Sequence, residues 1–385
     1  MSSTSAGQPL HIGIDATPLF GQPTGVGAVT NSIVSRLVSE GTIDLTLLLV
    51  SWNAKRLLDS QPSGPLGSAV SVRSLRFPAR VAHQLWQRVN LPAVGGFDVV
   101  HGTNFVVPPA KKSAELVTIH DLTAWHMPEL VSSYSAAYPR LIDRAVSRGA
   151  HIHVVSQAVA DEVVDTIAVD SDRVHVIANG FDLPLADELG QDSDIWADAG
   201  RDLVDGQYIL CLGTIEPRKD HPSLLAAMKS VWLTHPKVKL VVAGRDGWGV
   251  EAYDRAMHDL GLVDDGRIVR MGYVTNEDRL ALLAGADCLA YPSLYEGFGL
   301  PPLEAMAVST PVVATDIAAV AEVCGDAAIL VPTRDPDALA EGLITVLEGG
   351  GDRLVPLGHL RTQNYDWDRS VAELVVLYER LAKSR

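Results

Sequence analysis

The residues best suited to chemistry lie in one stretch, residues 291–304, which reads YPSLYEGFGLPPLE. The sequence around it predicts a strand, a glycine loop and then a helix. Gly297 and Gly299 allow positive φ and let backbone N–H groups approach a ligand, and the positive end of the helix favours phosphate. The carboxylates of Glu296 and Glu304 can accept hydrogen bonds from sugar hydroxyls. The alternative is a tight turn whose two glutamates are a helix cap and a solvated residue.

A second group of candidates follows the predicted strand at residues 208–212, where the sequence reads GTIEPRKD. Arg218 and Lys219 lie there between a strand end and the start of a predicted helix. Two adjacent cations in that position can neutralise the charge of a leaving diphosphate. Adjacent Arg and Lys are also common on protein surfaces, so the pair alone leaves both interpretations open.

Two histidines in the first half of the chain lie at predicted strand ends, His101 in VVHGTN and His120 in TIHDL. Ligands of parallel sheets collect at the carboxyl ends of strands. His120, His101 and the nearby Asn104 are therefore candidates for a ligand site. The alternative for a lone histidine at a strand end is a structural role.

A glycine loop, GQPTGVG at residues 21–27, lies between the first predicted strand and a helix predicted at residues 28–40. This arrangement outlines a phosphate or ligand site, although a flexible connection has the same pattern. The G-x-G-x-x-G fingerprint is absent. The sequence therefore argues against a dinucleotide oxidoreductase.

The stretch EGFGLPPLE resembles the E-x7-E element of the retaining glycosyltransferases of the family-4 type, and the resemblance extends over nearly the whole chain. It implies that Glu304 binds the ribose hydroxyls of a nucleotide and that Glu296 faces the transferred sugar. It also implies that the amides between them hold the sugar and the diphosphate. The matching residues between the two glutamates are Gly297, Phe298, Gly299 and Leu300.

The same resemblance implies roles elsewhere in the chain. Lys219, downstream of Gly213, matches a lysine that contacts the diphosphate, and His120 matches a histidine near the donor sugar. Thr214 stands where the family commonly has arginine, which leaves the role of Arg218 open. The form GTIEPRK is similar to that of bacterial mannosyl- and deoxyhexosyl-transferases of polysaccharide assembly. The remaining donor-binding candidates are Gly213, then Gly25, Val26 and Gly27, opposite the phosphates, and Gly272, Tyr273 and Val274, near the nucleobase. The candidates on the acceptor side are His101, Asn104, Arg76 and Arg80.

Short apolar strands alternate with helical stretches along the chain, which predicts an α/β fold with parallel sheets. The resemblance implies two facing Rossmann-like domains, the GT-B fold. The sequence NGFD at residues 179–182 is similar to the family's domain boundary, and an acidic linker is predicted at residues 183–205. We expect an acceptor-side domain at 1–183, a donor-binding domain at 184–365 and a last helix, 366–385, that crosses back to the first domain.

A chain of 385 residues with 47% hydrophobic and 20% charged residues has the composition of a soluble protein of two domains. Its net charge of −16, with the acidic excess mainly in the second half, argues against nucleic-acid binding. No signal peptide or membrane-spanning run is evident. Cys211, Cys288 and Cys324 lack metal-ligand spacing and lie among apolar residues, which predicts buried thiols in a reducing cytoplasm.

The reaction implied by the resemblance is transfer of a hexose from a nucleotide diphosphate sugar to a glycan, glycolipid or other hydroxyl acceptor, with retention at the anomeric carbon. Mannose or a related sugar from a GDP-sugar is the preferred donor. The candidate catalytic residues are Glu296, His120, Lys219 and Arg218, and domain closure is expected to exclude water. No cofactor and no metal are expected. The alternatives are a sugar-nucleotide epimerase or hydrolase, or a non-catalytic nucleotide-sugar-binding protein on the same fold.

Residues 71–90 form a basic segment with four arginines, among them Arg76 and Arg80, and no acidic residue. Leu85 and Trp86 can share a helical side with neighbouring apolar residues. Such a segment can lie on an anionic membrane or hold a lipid diphosphate, so peripheral contact with the inner face of the membrane is expected. The alternative is an ordinary helix that packs on the sheet and leaves its arginines solvated.

Overall fold

The computed structural model describes residues 9–20, 25–52, 70–181 and 193–384, and the chain divides into two compact units. Unit 1 comprises Met1–Gly180 and Trp367–Arg385, and unit 2 comprises Phe181–Asp366. The first four residues of the predicted glycine loop, and residues 183–192 of the predicted acidic linker, lie outside the described residues.

Unit 1 alternates strands with helices. Its strands are β1 (Leu10–Asp15), β2 (Ile43–Val50), β3 (Ser71–Leu75), β4 (Val94–Gly95), β5 (Val99–Gly102), β6 (Ala110–Lys111), β7 (Ala114–Ile119), β8 (His151–Val154) and β9 (Val174–Val176). Its helices before the boundary are α1 (Gly25–Glu40), α2 (Ala79–Trp86), α3 (Thr123–His126), α4 (Tyr138–Ser147) and α5 (Gln157–Thr166).

The main sheet of unit 1 is parallel, and its described strands have the order β3-β2-β1-β5-β7-β8-β9. The order reverses beside β1, which pairs with β2 on one side and with β5 on the other. Parallel sheets bind ligands in the crevice at the carboxyl ends of such a pair. The reversal therefore marks where a ligand of unit 1 is expected.

Unit 2 repeats the same plan. Its strands are β10 (Tyr208–Leu212), β11 (Lys239–Ala243), β12 (Ile268–Gly272), β13 (Cys288–Tyr291), β14 (Val312–Thr315) and β15 (Ile329–Val331). Its helices are α6 (Ser193–Val204), α7 (His221–Thr234), α8 (Val250–Asp259), α9 (Asn276–Gly285), α10 (Leu300–Ala307), α11 (Ala318–Cys324), α12 (Pro336–Thr345) and α13 (Leu354–Thr362).

The sheet of unit 2 is also parallel, and its described strands have the order β12-β11-β10-β13-β14-β15. Here the order reverses beside β10, between β11 and β13. Two parallel sheets with their helices confirm the predicted α/β fold of two Rossmann-like units. The predicted burial of Cys211, Cys288 and Cys324 is confirmed as well.

The C-terminal helix, α14 (Trp367–Lys383), belongs to unit 1 although it follows unit 2 in the chain. It packs on α1 and β5 and buries an apolar stripe that includes Val371, Leu374 and Leu381. The strands and helices of unit 1 thus come from both ends of the sequence.

A buried series of hydrogen bonds joins α14 to the sheet. The Tyr378 hydroxyl lies 2.7 Å from His101 Nδ1, and His101 Nε2 lies 2.8 Å from Thr118 Oγ1. Thr118 Oγ1 lies 2.9 Å from His153 Nδ1, and His153 Nε2 lies 3.0 Å from the carbonyl oxygen of Ile177. A carbonyl can only accept, and burial lowers the pKa of both histidines, so the rings are neutral. The direction of every hydrogen bond, from tyrosine to carbonyl, is therefore fixed.

This series corrects the prediction for His101. The side chain is 0% exposed and both of its ring nitrogens are bonded within the core, so it cannot contact an acceptor. The physical reason is the return of α14, which covers this end of the sheet and brings the Tyr378 hydroxyl to the imidazole.

Candidate active site

The predicted catalytic residues of unit 2 lie at its strand-order reversal. Lys219 follows β10 in a short 3-10 turn, and Glu296 follows β13 in the loop before α10. Because β10 and β13 are adjacent and parallel, both loops emerge at the same edge of the sheet. The Leu294 N–H donates to the Arg218 carbonyl oxygen at 2.7 Å, which ties the two loops together.

The Glu296 carboxylate is bonded at both oxygens. Its Oε1 accepts from Lys219 Nζ and, at 2.8 Å, from the Ser293 hydroxyl. Its Oε2 accepts from Arg218 Nη1 at 2.5 Å. Since the side chain is only 10% exposed, these bonds hold the carboxylate in one orientation.

Arg218, whose role the sequence left open, bridges two carboxylates. One nitrogen pairs with Glu296 and the other with Glu216, at 2.7 Å. Lys219 Nζ also donates to the Tyr291 hydroxyl at 3.2 Å. The sequence analysis missed Glu216 and Tyr291, although both lie within the stretches it examined and Glu216 is two residues before Arg218.

Electrostatics fixes the charge of this cluster. Burial raises the pKa of Glu296, but Arg218, Lys219 and the Ser293 hydrogen bond outweigh burial and lower that pKa to about 2. Burial lowers the pKa of Lys219, against the opposing effect of Glu296. Glu296 is ionised at neutral pH, so the site presents paired charges that are already in place. Such an arrangement can stabilise charge developing on a leaving phosphate without reorganisation.

The loop before α10 follows the prediction in part. Gly299, immediately before the helix, has φ of 142°, a conformation that other residues rarely adopt. Leu300 begins α10, with two prolines in the first turn as predicted. Phe298 is buried edge-on against Tyr365, with the ring centroids 5.5 Å apart, so its side chain anchors the loop in the core.

Glu304 lies in α10 and forms an ion pair with Arg279 of α9. Both side chains are largely buried, with 14% of Glu304 exposed. The sequence analysis missed Arg279 because the pair depends on how two helices pack. The guanidinium fixes the orientation of the carboxylate that the family resemblance assigns to the ribose.

The predicted nucleobase residues lie at the carboxyl end of β12. Gly272 has φ of 69°, and Gly213, after β10, has φ of 138°. Tyr273 is 55% exposed, and the guanidinium of Arg245 lies 4.4 Å from the centre of its ring. Val274 packs against the core instead. The structure therefore presents the exposed ring of Tyr273 beside the half-buried guanidinium of Arg245 at this strand end.

At the reversal of unit 1, the structure places His120 and Asn104 near one another. His120 Nε2 donates to the Thr103 carbonyl oxygen at 2.9 Å, and burial lowers the pKa of this histidine. The neutral ring therefore has Nδ1 as its accepting nitrogen. The Asn104 side chain is hydrogen-bonded to Tyr138 at the start of α4. Both predicted residues stay candidates for ligand contact.

The sequence analysis missed one residue at this reversal, Asp15, the last residue of β1. Its side chain is buried, and its Oδ1 accepts from the N–H of Thr17 at 2.9 Å and from the Thr17 hydroxyl at 2.5 Å. Burial raises the pKa of Asp15 to about 6, against the lowering effect of the Thr17 hydrogen bonds. The sequence did contain a signal for this residue, because Asp15 is an acidic residue at the end of an apolar strand.

The structure also corrects the expected environment of two predicted segments. Gly25, Val26 and Gly27 form the first turn of α1 instead of a loop. Their predicted contact with the donor phosphates therefore concerns the start of a helix and not a loop.

In the basic segment, Trp86 is 1% exposed and donates from Nε1 to the Pro92 carbonyl oxygen at 3.0 Å. It therefore packs inward, and the exposed apolar residues of α2 are Val81 and Leu85. Arg76 and Arg80 are exposed as predicted.

The described residues include no group of three or more His, Cys, Asp or Glu residues that could bind a metal ion. No helix in them is both long enough and apolar enough to cross a bilayer.

Comparison with protein families matches both halves of the chain. Residues 23–184 match the model described as Glycosyltransferase Family 4, and residues 194–355 match the model described as Glycosyl transferases group 1. The first match lies in unit 1 except for its last four residues, 181–184, which belong to unit 2. The second match lies within unit 2 and contains the cluster around Glu296.

Individual relatives agree with these models. O-antigen chain mannosyltransferase B of Escherichia coli is 27% identical over 296 residues, 74% of each chain. A phosphatidyl-myo-inositol mannosyltransferase of Mycolicibacterium smegmatis is 28% identical over 390 aligned positions, 97% of this chain and 94% of the relative. Among solved structures, Anabaena HepE in complex with UDP and glucose has a TM-score of 0.71 at 19% identity, over 96% of this chain and 99% of that one. This last likeness concerns the fold.

Proposed function

Because this chain belongs to the family-4 glycosyltransferases of the GT-B fold, we propose that it transfers a hexose from a nucleotide diphosphate sugar to a hydroxyl of a glycan or glycolipid. The observation that carries the proposal is the buried cluster of Lys219, Arg218 and Glu296 at the reversal of unit 2. This is where a parallel sheet binds its ligand, and the cluster holds the cations that a departing diphosphate requires.

In the proposed reaction, the bond between the anomeric carbon and the diphosphate oxygen breaks while the acceptor oxygen bonds to the same carbon. Lys219 and Arg218 stabilise the negative charge on the diphosphate, which takes the proton of the acceptor hydroxyl. The amides of residues 297–299 and the Glu296 carboxylate hold the sugar, and His120 is a further proposed contact of that ring.

We propose retention at the anomeric carbon, by attack on the face that the diphosphate leaves. Two cations lower the pKa of Glu296 to about 2 and occupy both of its oxygens, so this carboxylate is a weak nucleophile. Its environment favours an electrostatic role over a covalent sugar–enzyme intermediate. No metal and no cofactor enter the proposal.

GDP-mannose is the proposed donor, and a carbohydrate or lipid-linked carbohydrate is the proposed acceptor. Support comes from the mannosyltransferase names of relatives that align with most of the chain. Glu304 is proposed to bind the ribose, oriented by Arg279, and the Tyr273–Arg245 pair is proposed to lie against the base.

We also propose weak contact between α2 and an anionic membrane. Phe77, Val81 and Leu85 are each about two-fifths exposed, and Arg76 and Arg80 lie beside them in sequence. Basic residues near an anionic surface contribute about 1 kcal/mol each, which gives reversible and salt-sensitive attachment.

Nucleotide binding is the first test. GDP, UDP and TDP are added to the protein in the presence of EDTA, and melting is followed by fluorescence. At about one hundred times its dissociation constant, a ligand adds about 2.7 kcal/mol, and for a unit of this size the melting temperature rises by about 5–10 °C. If none of the three shifts the transition without magnesium, the donor site is assigned wrongly.

Acceptor dependence separates the transferase from the alternatives. The protein is incubated with GDP-mannose, with and without octyl α-mannoside, and released GDP and glycosylated product are measured. We expect GDP release to increase with acceptor and to match product. Release at an unchanged rate without product favours a hydrolase, and sugar inversion without release favours an epimerase.

Vesicle sedimentation tests the membrane contact. The protein is expected to co-sediment with phosphatidylglycerol vesicles at low salt, and Arg76→Glu/Arg80→Glu is expected to abolish this binding. The matched control is Lys237→Glu/Arg255→Glu, which makes the same charge change at exposed positions of unit 2. Equal binding by both double variants would contradict a role for α2.

A further inference from the structure

Asp15 lies at the position in unit 1 where a parallel sheet binds its ligand. It is the last residue of β1, the strand beside which the sheet order reverses, and its carboxylate is therefore at the carboxyl edge. The Thr103 hydroxyl, just after β5, donates to the Asp15 carbonyl oxygen at 2.8 Å. This bond joins the two strands that flank the reversal.

The carboxylate is held on one side. Both hydrogen bonds that the described residues donate to it come from Thr17 and reach Oδ1. The Thr17 hydroxyl is in turn fixed, because it accepts from the Val50 N–H at 3.3 Å. Among the described residues no cation pairs with Asp15. A carboxylate that is only 6% exposed is thus left with hydrogen-bonding capacity at Oδ2.

Aromatic and amide groups lie around this carboxylate. The charge of Asp15 acts on both Tyr134 and Tyr138, and Asn104 is hydrogen-bonded to Tyr138. The Phe105 ring stacks on Tyr138 with centroids 4.6 Å apart and planes inclined by 8°. Tyr134 is 38% exposed, which leaves part of an aromatic ring open beside the site.

Phe105 is held in an unusual backbone conformation, with φ of 57°. A bulky residue at positive φ is rare and persists only where the surroundings enforce it. Here the Phe105 N–H donates to the Thr118 carbonyl oxygen at 2.9 Å, and the ring lies between His120 and Tyr138. The wall of the site is therefore built in place, independent of any ligand.

We propose that Asp15 is the acceptor-binding carboxylate, which accepts a hydrogen bond from a hydroxyl of the acceptor carbohydrate while the Tyr134 ring lies against the sugar face. The inference rests on the proposed function and names the class of acceptor, an uncharged polyol ring. A neutral hydroxyl donor fits this carboxylate because a second anion would be repelled. Among the described residues, no cation forms an ion pair with Asp15 that could offset this repulsion.

The groups that face Asp15 determine its expected pH dependence. Tyr134 and Tyr138 are neutral, because burial raises the pKa of both, and His120 is neutral, because burial lowers its pKa. The charged groups in the surroundings are Asp121, which acts on Tyr138, and Arg80, which acts on Tyr134. Asp15 has a pKa of about 6 and accepts a hydrogen bond more strongly when it is ionised, so acceptor binding should increase as pH rises through about 6.

The experiment measures carbohydrate binding directly, so that it does not depend on turnover. Saturation-transfer NMR is recorded for methyl α-mannoside, methyl α-glucoside, octyl α-mannoside and myo-inositol with the wild type, Asp15→Asn and Asp98→Asn, each with GDP present. Asp98 is the control, because its Oδ2 accepts from the His11 N–H at the opposite edge of the same sheet.

At pH 7.5 the wild type and Asp98→Asn should bind at least one probe, and Asp15→Asn should bind it about ten- to one hundredfold more weakly. The wild-type signal should fall between pH 7 and pH 5, and the variant should lack this dependence. GDP should stabilise all three proteins equally.

Two outcomes overturn the inference. One is binding by Asp15→Asn within threefold of the wild type, and the other is the absence of any probe signal from the wild type. Loss of GDP stabilisation in the wild type would instead contradict the proposed function, so the two failures are distinguishable. A melting curve of Asp15→Asn at least as high as that of the wild type excludes misfolding as the cause.

Discussion

Each unit has a carboxylate at the strand-order reversal of its sheet, yet the surroundings of the two groups are opposite. Glu296 of unit 2 is bonded to Lys219 and Arg218, and these cations outweigh burial and lower its pKa to about 2. Asp15 of unit 1 has only Thr17 as a donor among the described residues, and burial raises its pKa to about 6.

This difference shows that the strand-order reversal fixes where a site lies, whereas the neighbouring loops fix what it binds. The loop after β10 supplies two cations to Glu296, which suits an anionic diphosphate. The turn after β1 supplies one hydroxyl and one N–H to Asp15, which suits neutral hydroxyl donors. Similar topology thus places two carboxylates in two different electrostatic environments.

The largest effect is expected from Glu296→Gln. Removing this carboxylate leaves Lys219 without its anion and Arg218 with Glu216 alone, which costs about 3–5 kcal/mol of unit 2 stability at pH 7. Turnover should fall about one hundred- to one thousandfold, while affinity for free GDP stays nearly intact. Hydrogen exchange of unit 2 peptides and steady-state kinetics measure these effects. The control is Glu348→Gln, an exposed position in the same unit.

The same isosteric change in unit 1, Asp15→Asn, is expected to have the opposite sign. The raised pKa means that the folded state binds a proton more tightly than the unfolded chain, so unit 1 loses stability as pH rises from 3.8 through about 6 and Asp15 ionises. The shift from 3.8 to about 6 corresponds to about 3 kcal/mol at pH 7, which the substitution should recover. The gain should vanish near pH 4. A loss of stability at pH 7 would make the two carboxylates alike and remove the contrast.

Glu304→Ala should weaken GDP binding at least about tenfold, because charge-assisted hydrogen bonds to the ribose are worth about 1.5–3 kcal/mol each. Calorimetry measures this loss. Glu277→Ala, an exposed acidic residue in the first turn of α9, is the control. Equal GDP affinity in Glu304→Ala and the wild type would mean that α10 does not hold the ribose, and that the cluster around Glu296 carries nucleotide binding alone.

The smallest effect is expected from Tyr378→Phe, which removes the first donor of the buried series. His101 Nδ1 then lacks a partner, so unit 1 should lose about 1–2 kcal/mol in urea unfolding while donor binding to unit 2 is unchanged. Exchange protection should decrease in α14 and β5. A parallel decrease in GDP affinity would show that the two units are not energetically separable.

Much of the donor side could be predicted because its signals are local in sequence. Residues 291–304 encode strand, loop and helix in order, and Gly299 and the helix start match that prediction. Lys219 and Glu296 lie 77 positions apart, but each follows a strand, and the rule for strand ends brings them together.

The acceptor side was harder to predict because its contacts are distant in sequence. His101 reads as a strand-end ligand until Tyr378, 277 positions later, is placed beside it. Leu85 and Trp86 can share one apolar side of a helix by their spacing. Only the packing shows that Trp86 is buried while Leu85 is exposed. Asp15 belongs to no recognisable sequence motif. Its proposed role depends on having no cationic partner among the described residues, and no local sequence pattern shows this.

The origin of unit 1 from both ends of the chain has a consequence for biosynthesis. A ribosome delivers Trp367–Arg385 last, after all of Phe181–Asp366. Until then His101 has no Tyr378 hydroxyl, and the surfaces of α1 and β5 that α14 covers remain open to the solvent. Unit 2 is one continuous segment, and domains mature as units during synthesis. Part of unit 1 is therefore translated after unit 2, and a nascent chain has all of unit 2 before unit 1 is closed.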